Sequence, residues 1–233
     1  MTREVVLDTE TTGLDPNGGH RIIEIACLEV VDYLPTGRAF HTYVDPECEV
    51  DFEAERVHGI STEFLRGKPR FADPAVVDAF VGFVGESKLV AHNAAFDRAF
   101  VNHELERAGR APLVESRWID TLALAQKRFP GMYNSLDALC KRYRLSLAER
   151  VRHGALVDAE LLAQVYLELR GGREQSFELV STSRQSAVRN AVRTSYGMRS
   201  RPLPSRLGPI ELAAHRIFVE RQLGPHAVWL RAG

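Results

Sequence analysis

Four acidic residues and one histidine stand where phosphodiester chemistry would need them. Asp8 and Glu10 flank Thr9 at the end of a short apolar run, Glu4–Leu7. In an extended chain residues i and i+2 share a face, so the two carboxylates converge where a buried strand meets solvent. Asp97 closes the segment His92–Asp97 (HNAAFD) just past another apolar run, and Asp158 follows His153 in His153–Asp158 (HGALVD). Each acid alone has an ordinary structural reading as a turn, a cap or a complement to a helix dipole. Together they would repel one another and be driven toward protonation unless cations neutralised them. Oxygen ligands without cysteine select hard ions such as Mg²⁺ or Mn²⁺. Two such ions about 3.5–4 Å apart clamp the attacking and leaving oxygens of an in-line phosphoryl displacement.

Holding these groups in place calls for an α/β frame. Arg21–Val31 is a long β-branched run, and Ala39–Val44 alternates until Asp45-Pro46 breaks it. The turn-rich spacers Gly13–Gly19 and Pro35–Gly37 are too short for crossover helices, so the first three strands pair as an antiparallel meander. Helices and strands then alternate: Pro74–Val84 helical, Lys88–Ala91 extended, Phe96–Ala108 helical, and Ser116–Ile119 extended. A helix through Phe129 is stopped by Pro130-Gly131. Ser135–Tyr143 is a helix with Ser135 as its N-cap, and Ala155–Arg170 is an amphipathic helix closed by Gly171-Gly172. The sum is a mixed sheet, meander first and βα units after, flanked by helices.

In order and spacing, Asp8–Gly13 (DTETTG), His92–Asp97 and His153–Asp158 resemble the three exonuclease motifs of the DEDDh 3′→5′ exonucleases. Arg21–Ile25, Val57–Ile60, Phe129–Gly131, Asn134–Cys140 and His153–Tyr166 narrow the resemblance to the epsilon-type proofreading subunits of bacterial DNA polymerase III. It covers roughly residues 3–172. The resemblance implies a ribonuclease H-like fold in which Asp8, Glu10, Asp97 and Asp158 hold two divalent cations, Mg²⁺ or Mn²⁺. It makes His153 the general base, a role suited to a side chain that ordinarily titrates near neutral pH. The products would be nucleoside 5′-monophosphates released from DNA 3′ ends. The resemblance also makes Thr11, His58, Gly59, His92, Asn93 and Phe96 contacts to the terminal nucleotide, with Phe96 a stacking face for a frayed base. A histidine or phenylalanine beside a carboxylate cluster can equally serve only to order its loop. His20, His41 and His103 lack such context and read as surface residues, and Cys140 reads as core. P-loop, HExxH, GxSxG and GxGxxG spacings are all missing.

Composition sets the outer bounds. At 45% hydrophobic and 26% charged, the chain is no wholly disordered protein. No apolar run approaches a membrane span, and the start lacks a signal-peptide pattern. Cys27, Cys48 and Cys140 form no CxxC pair. A cytoplasmic protein is the expectation. The net charge of −1 hides an asymmetry: residues 171–233 carry ten Arg, no Lys and four Glu, so the remainder stands at −7. A region that acidic is poorly suited to gripping long nucleic acid, which takes many Lys and Arg. It suits a few nucleotides at a 3′ end.

Three regions are expected: an exonuclease domain over 1–180, a flexible Arg/Ser/Pro-rich linker over 181–208, and a C-terminal segment over 209–233. In the last, Pro209 opens a helix whose Ile210, Ala213, Ala214, Ile217 and Phe218 share a face, followed by Trp229-Leu230. The resemblance implies that this segment docks on the polymerase catalytic subunit, through Ile217, Phe218, Trp229 and Leu230. It places a sliding-clamp motif near Gln175–Leu179. A free-standing DEDDh ribonuclease or DNA-repair exonuclease would share the chemistry without needing the appended tail. A non-catalytic module with a decayed site would not keep all five site residues.

Overall fold

The computed structural model describes residues 2–146, 153–172 and 208–223. Its sheet is built outward from β1 (Arg3–Thr11), which pairs antiparallel with β2 (Ile22–Val31) on one side and parallel with β4 (Lys88–Ala91) on the other. With β3 (Leu34–Tyr43) at one edge and β5 (Trp118–Asp120) at the other, the order is β3-β2-β1-β4-β5. This is the mixed sheet of a ribonuclease H-like fold, with the expected meander and βα units.

Alternation along β1 divides the core in two. Val6 points to a face covered by α5 (Thr121–Arg128), α6 (Leu136–Tyr143) and α7 (Ala155–Leu169), where it joins Ala155, Ala159 and Leu162. Val5 and Leu7 point to the opposite face, where α3 (Pro74–Val84) and α4 (Ala94–Arg107) contribute Phe80 and Phe100. A central strand sealed on both faces must be apolar on both, hence the unbroken Val-Val-Leu before the first carboxylate. A smaller cluster of Ile23, Val50, Ile60 and Leu65 holds α1 (Phe52–His58) and α2 (Thr62–Leu65) against the start of β2.

Two expectations shift in detail. The β2–β3 turn is Asp32-Tyr33, both left-handed at φ 50° and 69°, and β3 runs straight through Pro35–Gly37. Proline is tolerated there because β3 is an edge strand. β1 continues to Thr11, so Asp8 and Glu10 lie within the strand.

The chain divides into two units, Met1–Leu179 and Val180–Gly233. In the second, Pro209 does open a helix, α8 (Pro209–Phe218), and the Gly208 N–H donates to Glu211 Oε2 at 2.8 Å. Ile217 and Phe218 are exposed on it. The segment Gln175–Leu179 expected to carry a clamp motif, residues 181–207 of the expected linker, Trp229 and Leu230 lie outside the described residues. Among the described residues no helix is long and apolar enough to cross a membrane.

Candidate active site

Three elements deliver the five site residues. β1 carries Asp8 and Glu10 on the face that α7 covers, while Thr9 between them points the other way and donates to Asp97 Oδ1 at 2.8 Å. Asp97 is buried in the first turn of α4, which starts from Asn93 in a left-handed conformation, φ 66°. That sharp turn from β4 into α4 is held by the Asn93 N–H, which donates to Asp120 Oδ1 at 3.1 Å. α4 is in turn tied to the start of β2 by a buried ion pair, Arg21 Nε to Glu104 Oε1 at 2.6 Å. α7 starts at the extended Gly154 and buries Asp158 in its first turn. The His153 Nδ1 lies 3.2 Å from Asp158 Oδ2.

The electrostatics of this cluster are unfavourable without cations. Part of the surface of Asp8 reaches solvent. Even so, burial raises its carboxyl well above the usual range, and Asp97, Glu10, Asp158 and Glu24 raise it further. Burial also pushes Asp97 up to about 7, against the opposing hydrogen bonds from Thr9 and from backbone N–H groups. Single ligand atoms of Glu10, His153 and Asp158 lie within 4.8 Å of one another. Converging oxygen donors that resist ionisation side by side fit a divalent cation.

This electrostatic strain predicts a pH-dependent stability. In metal-free protein the folded chain binds the Asp97 proton more tightly than the unfolded chain, whose carboxyl titrates near 3.8. Stability should therefore fall as pH rises from about 4 to about 7. Because cations compete with protons for the same carboxylates, Mn²⁺ should raise Tm more at about pH 7.5 than at about pH 5. Scanning calorimetry checks this, and a Mn²⁺ shift independent of pH would contradict it.

The expected substrate contacts surround the cluster unevenly. His58 is buried, its Nδ1 accepts the Ile60 N–H at 3.0 Å, and its Nε2 makes no short hydrogen bond among the described residues. Burial lowers its pKa, against a Thr11 backbone hydrogen bond and the charges of Glu24 and Glu55, which raise it; in the neutral ring, with Nδ1 accepting, the proton sits on Nε2. Gly59 ends α1 at φ 76°, a conformation that favours glycine. His92 Nδ1 lies 2.9 Å from Thr121 Oγ1, whose own proton goes to the Ala91 carbonyl, so His92 donates. Its Nε2 is buried; burial lowers the ring's pKa, and the charge of Asp120 and a backbone contact with Asn134 oppose that shift. Asn93 is exposed. The Thr11 hydroxyl is committed to the Gly13 carbonyl at 2.6 Å, and its backbone pairs with β2 and faces His58. Phe96 is half-buried, its ring packed against Phe100 at 4.9 Å.

One residue escaped the sequence reading. Glu24 is 2% exposed, and its Oε1 accepts from Nε2 of His41, which is exposed as expected, at 2.7 Å. The available signal was a charge inside the apolar run RIIEI, one register step from nothing but hydrophobic neighbours.

Residues 5–166 match the exonuclease family of RNase T type. The DNA polymerase III subunit epsilon of Rickettsia conorii is 46% identical over 95% of this chain and 96% of its own. That of Escherichia coli K12 is 41% identical over 98% of both. Among solved structures, exonuclease X in complex with 5′-overhanging duplex DNA superposes with a TM-score of 0.54 at 27% identity, covering 72% of this chain and 90% of that one. A family match across most of the chain, joined to near-full-length identities of this size, decides the assignment: the chain belongs to the exonuclease family, in its DNA polymerase III epsilon branch, and is a 3′→5′ exonuclease.

Proposed function

We propose that the chain removes mispaired nucleotides from DNA 3′ ends by metal-dependent hydrolysis while tethered to a bacterial replicative polymerase. The observation that carries the chemistry is the convergence of Asp8, Glu10, Asp97 and Asp158 with His153 at the carboxyl end of β1. These four carboxylates would hold two divalent cations, Mg²⁺ or Mn²⁺. When bound, such ions neutralise the carboxylates and stabilise negative charge at the scissile phosphate. With the His153 Nδ1 held against Asp158, its Nε2 is the nitrogen that takes the proton from the attacking water. The water oxygen bonds to phosphorus, the P–O3′ bond breaks, and the proton passes to the departing 3′ oxygen. A nucleoside 5′-monophosphate and a strand shortened by one residue result.

His58 and His92, whose buried Nε2 atoms make no short hydrogen bond among the described residues, are the groups best placed to orient the terminal nucleotide. A buried polar atom without a partner is costly, and a ligand hydrogen bond removes that cost. Gly59 contributes backbone, and Thr11, Phe96 and Asn93 border the same ends of β1 and β4. DNA as substrate and the polymerase as partner are supported by the names of the relatives above.

The acidic catalytic region favours brief contact with a frayed end, and tethering supplies the local concentration it lacks. Exposed Ile217 and Phe218, with Trp229 and Leu230 beyond, are the proposed docking face. A chain of residues 1–180 is expected to keep its rate on single strands and to lose association with the polymerase catalytic subunit. Trp229→Ala should weaken that association by about 2 kcal/mol or more and leave free hydrolysis unchanged. Co-purification measures both. Polymerase binding by the truncated chain would remove the tail's role, and failure of the full chain to bind any polymerase would favour a free-standing nuclease.

A further inference from the structure

We propose that Glu24 is a positioning residue for hydrolysis: from β2 it caps the start of α7 and so fixes the hinge between His153 and Asp158. The need for such a cap follows from the local sequence. The first N–H groups of a helix lack intrahelical partners, and a Ser, Thr, Asp or Asn at the N-cap usually satisfies one of them. At α7 the N-cap is Gly154, which has no side chain and no cap hydrogen bond, in an extended conformation at φ −161°. Glycine here is also the most pliable link available between the base and the helix that carries Asp158.

Glu24 supplies from another strand what Gly154 cannot. Its Oε2 accepts the Ala155 N–H at 3.1 Å, and its Oε1 accepts from His41 Nε2 at 2.7 Å. The carboxylate is thereby bound on both oxygens, which orients it. Its strand position is opposite Glu10 in the β1–β2 pairing, so the same ladder registers the cap against the site. A negative charge at a helix N-terminus also complements the helix dipole. Burying a further carboxylate beside Asp8 and Glu10 costs stability, and a local serine cap would avoid that cost. Precision at the hinge is what the arrangement adds: a small misplacement of a catalytic group can cost about 10²-fold in rate.

This inference rests on the proposed roles of His153 and Asp158. The test uses the full chain, with kcat and KM measured on a single-stranded DNA oligonucleotide at saturating Mg²⁺. Glu24→Ala is expected to lower kcat by about 10–100-fold, the usual loss when an orienting partner is removed, with KM nearly unchanged. Glu24→Gln keeps an oxygen for the Ala155 N–H and should recover most of the rate. Glu24→Asp keeps the charge but withdraws it by one methylene, and should be worse than Gln. The Ala155 amide should exchange with solvent faster in the Ala and Asp variants and stay protected in Gln. In a His153→Ala background the Glu24→Ala loss should shrink to a few-fold, because the residue acts through the base.

Wild-type kcat in Glu24→Ala, an Asp variant better than Gln, or an undiminished loss in the His153→Ala background would each overturn the proposal. The Gln-versus-Asp order decides even where Glu24→Ala does not fold. Asp158→Ala is the control for the underlying site: if it stays active, the site assignment fails, whereas an inactive Asp158→Ala beside a fully active Glu24→Ala removes only the positioning role.

Discussion

Asp97→Ala is expected to hydrolyse DNA at less than about one-hundredth of the wild-type rate while folding at least as stably in the absence of metal. The first half follows from its place in the cluster. Removing a group that only orients a metal ligand costs about 10–100-fold, and Asp97 is proposed as a ligand itself. The second half follows from its burial. A carboxyl pushed up to about 7 by its surroundings destabilises the folded chain at neutral pH, so deleting it relieves that penalty. Asp8→Asn should behave alike, since burial and three neighbouring site carboxylates raise its carboxyl well above the usual range. Activity and metal-free stability should thus move in opposite directions. Thermal unfolding in EDTA beside a rate assay separates this from an ordinary core defect, which would lower both.

The second large effect is His153→Ala, expected to lose about 10²–10⁴-fold in kcat, the usual worth of general base catalysis. The side chain is 46% exposed, so its removal leaves no sealed cavity, and the variant should fold normally. Mn²⁺ should still raise its Tm, because the four carboxylates remain. The rise of rate with pH that a general base gives, expected of the wild type, should be absent from its profile. One alternative is specific to this geometry: His153 lies within 4.8 Å of single ligand atoms of Glu10 and Asp158, close enough to share a cation. Loss of the Mn²⁺-induced stabilisation in His153→Ala would make it a ligand rather than a base.

Much of this was readable in the chain because the informative features are local. The i, i+2 spacing of Asp8 and Glu10, the HNAAFD segment entering a helix, and Asp158 in a first helical turn all survive in the structure. Ser135 does cap α6, accepting the Ala138 N–H at 3.3 Å. What escaped depends on contacts distant in sequence. Glu24 meets Ala155 across 131 positions, and no periodicity in RIIEI announces that partner. The short helices α1 and α2 went unread because the Ile60 and Leu65 packing that holds them comes from β2. Pro35–Gly37 looked like a turn, but the left-handed Asp32-Tyr33 pair had already reversed the chain. The crowding at Gly13 was likewise invisible, since a β-carbon there would meet the His20 ring and the Asp51 carboxylate, which would have to shift.

The central claim is that this carboxylate–histidine cluster performs metal-dependent 3′→5′ hydrolysis with a preference for unpaired ends. Its most direct test is product analysis of wild type and Asp97→Ala on 5′-labelled DNA duplexes with a matched or a mispaired 3′ terminus, with Mg²⁺ or with EDTA. The account predicts a ladder shortened from the 3′ end with release of 5′-monophosphates, faster from the mispair, and silent in EDTA and in Asp97→Ala. Equal rates on both termini would contradict the proofreading preference, and activity persisting in EDTA or in Asp97→Ala would contradict the assignment of the site.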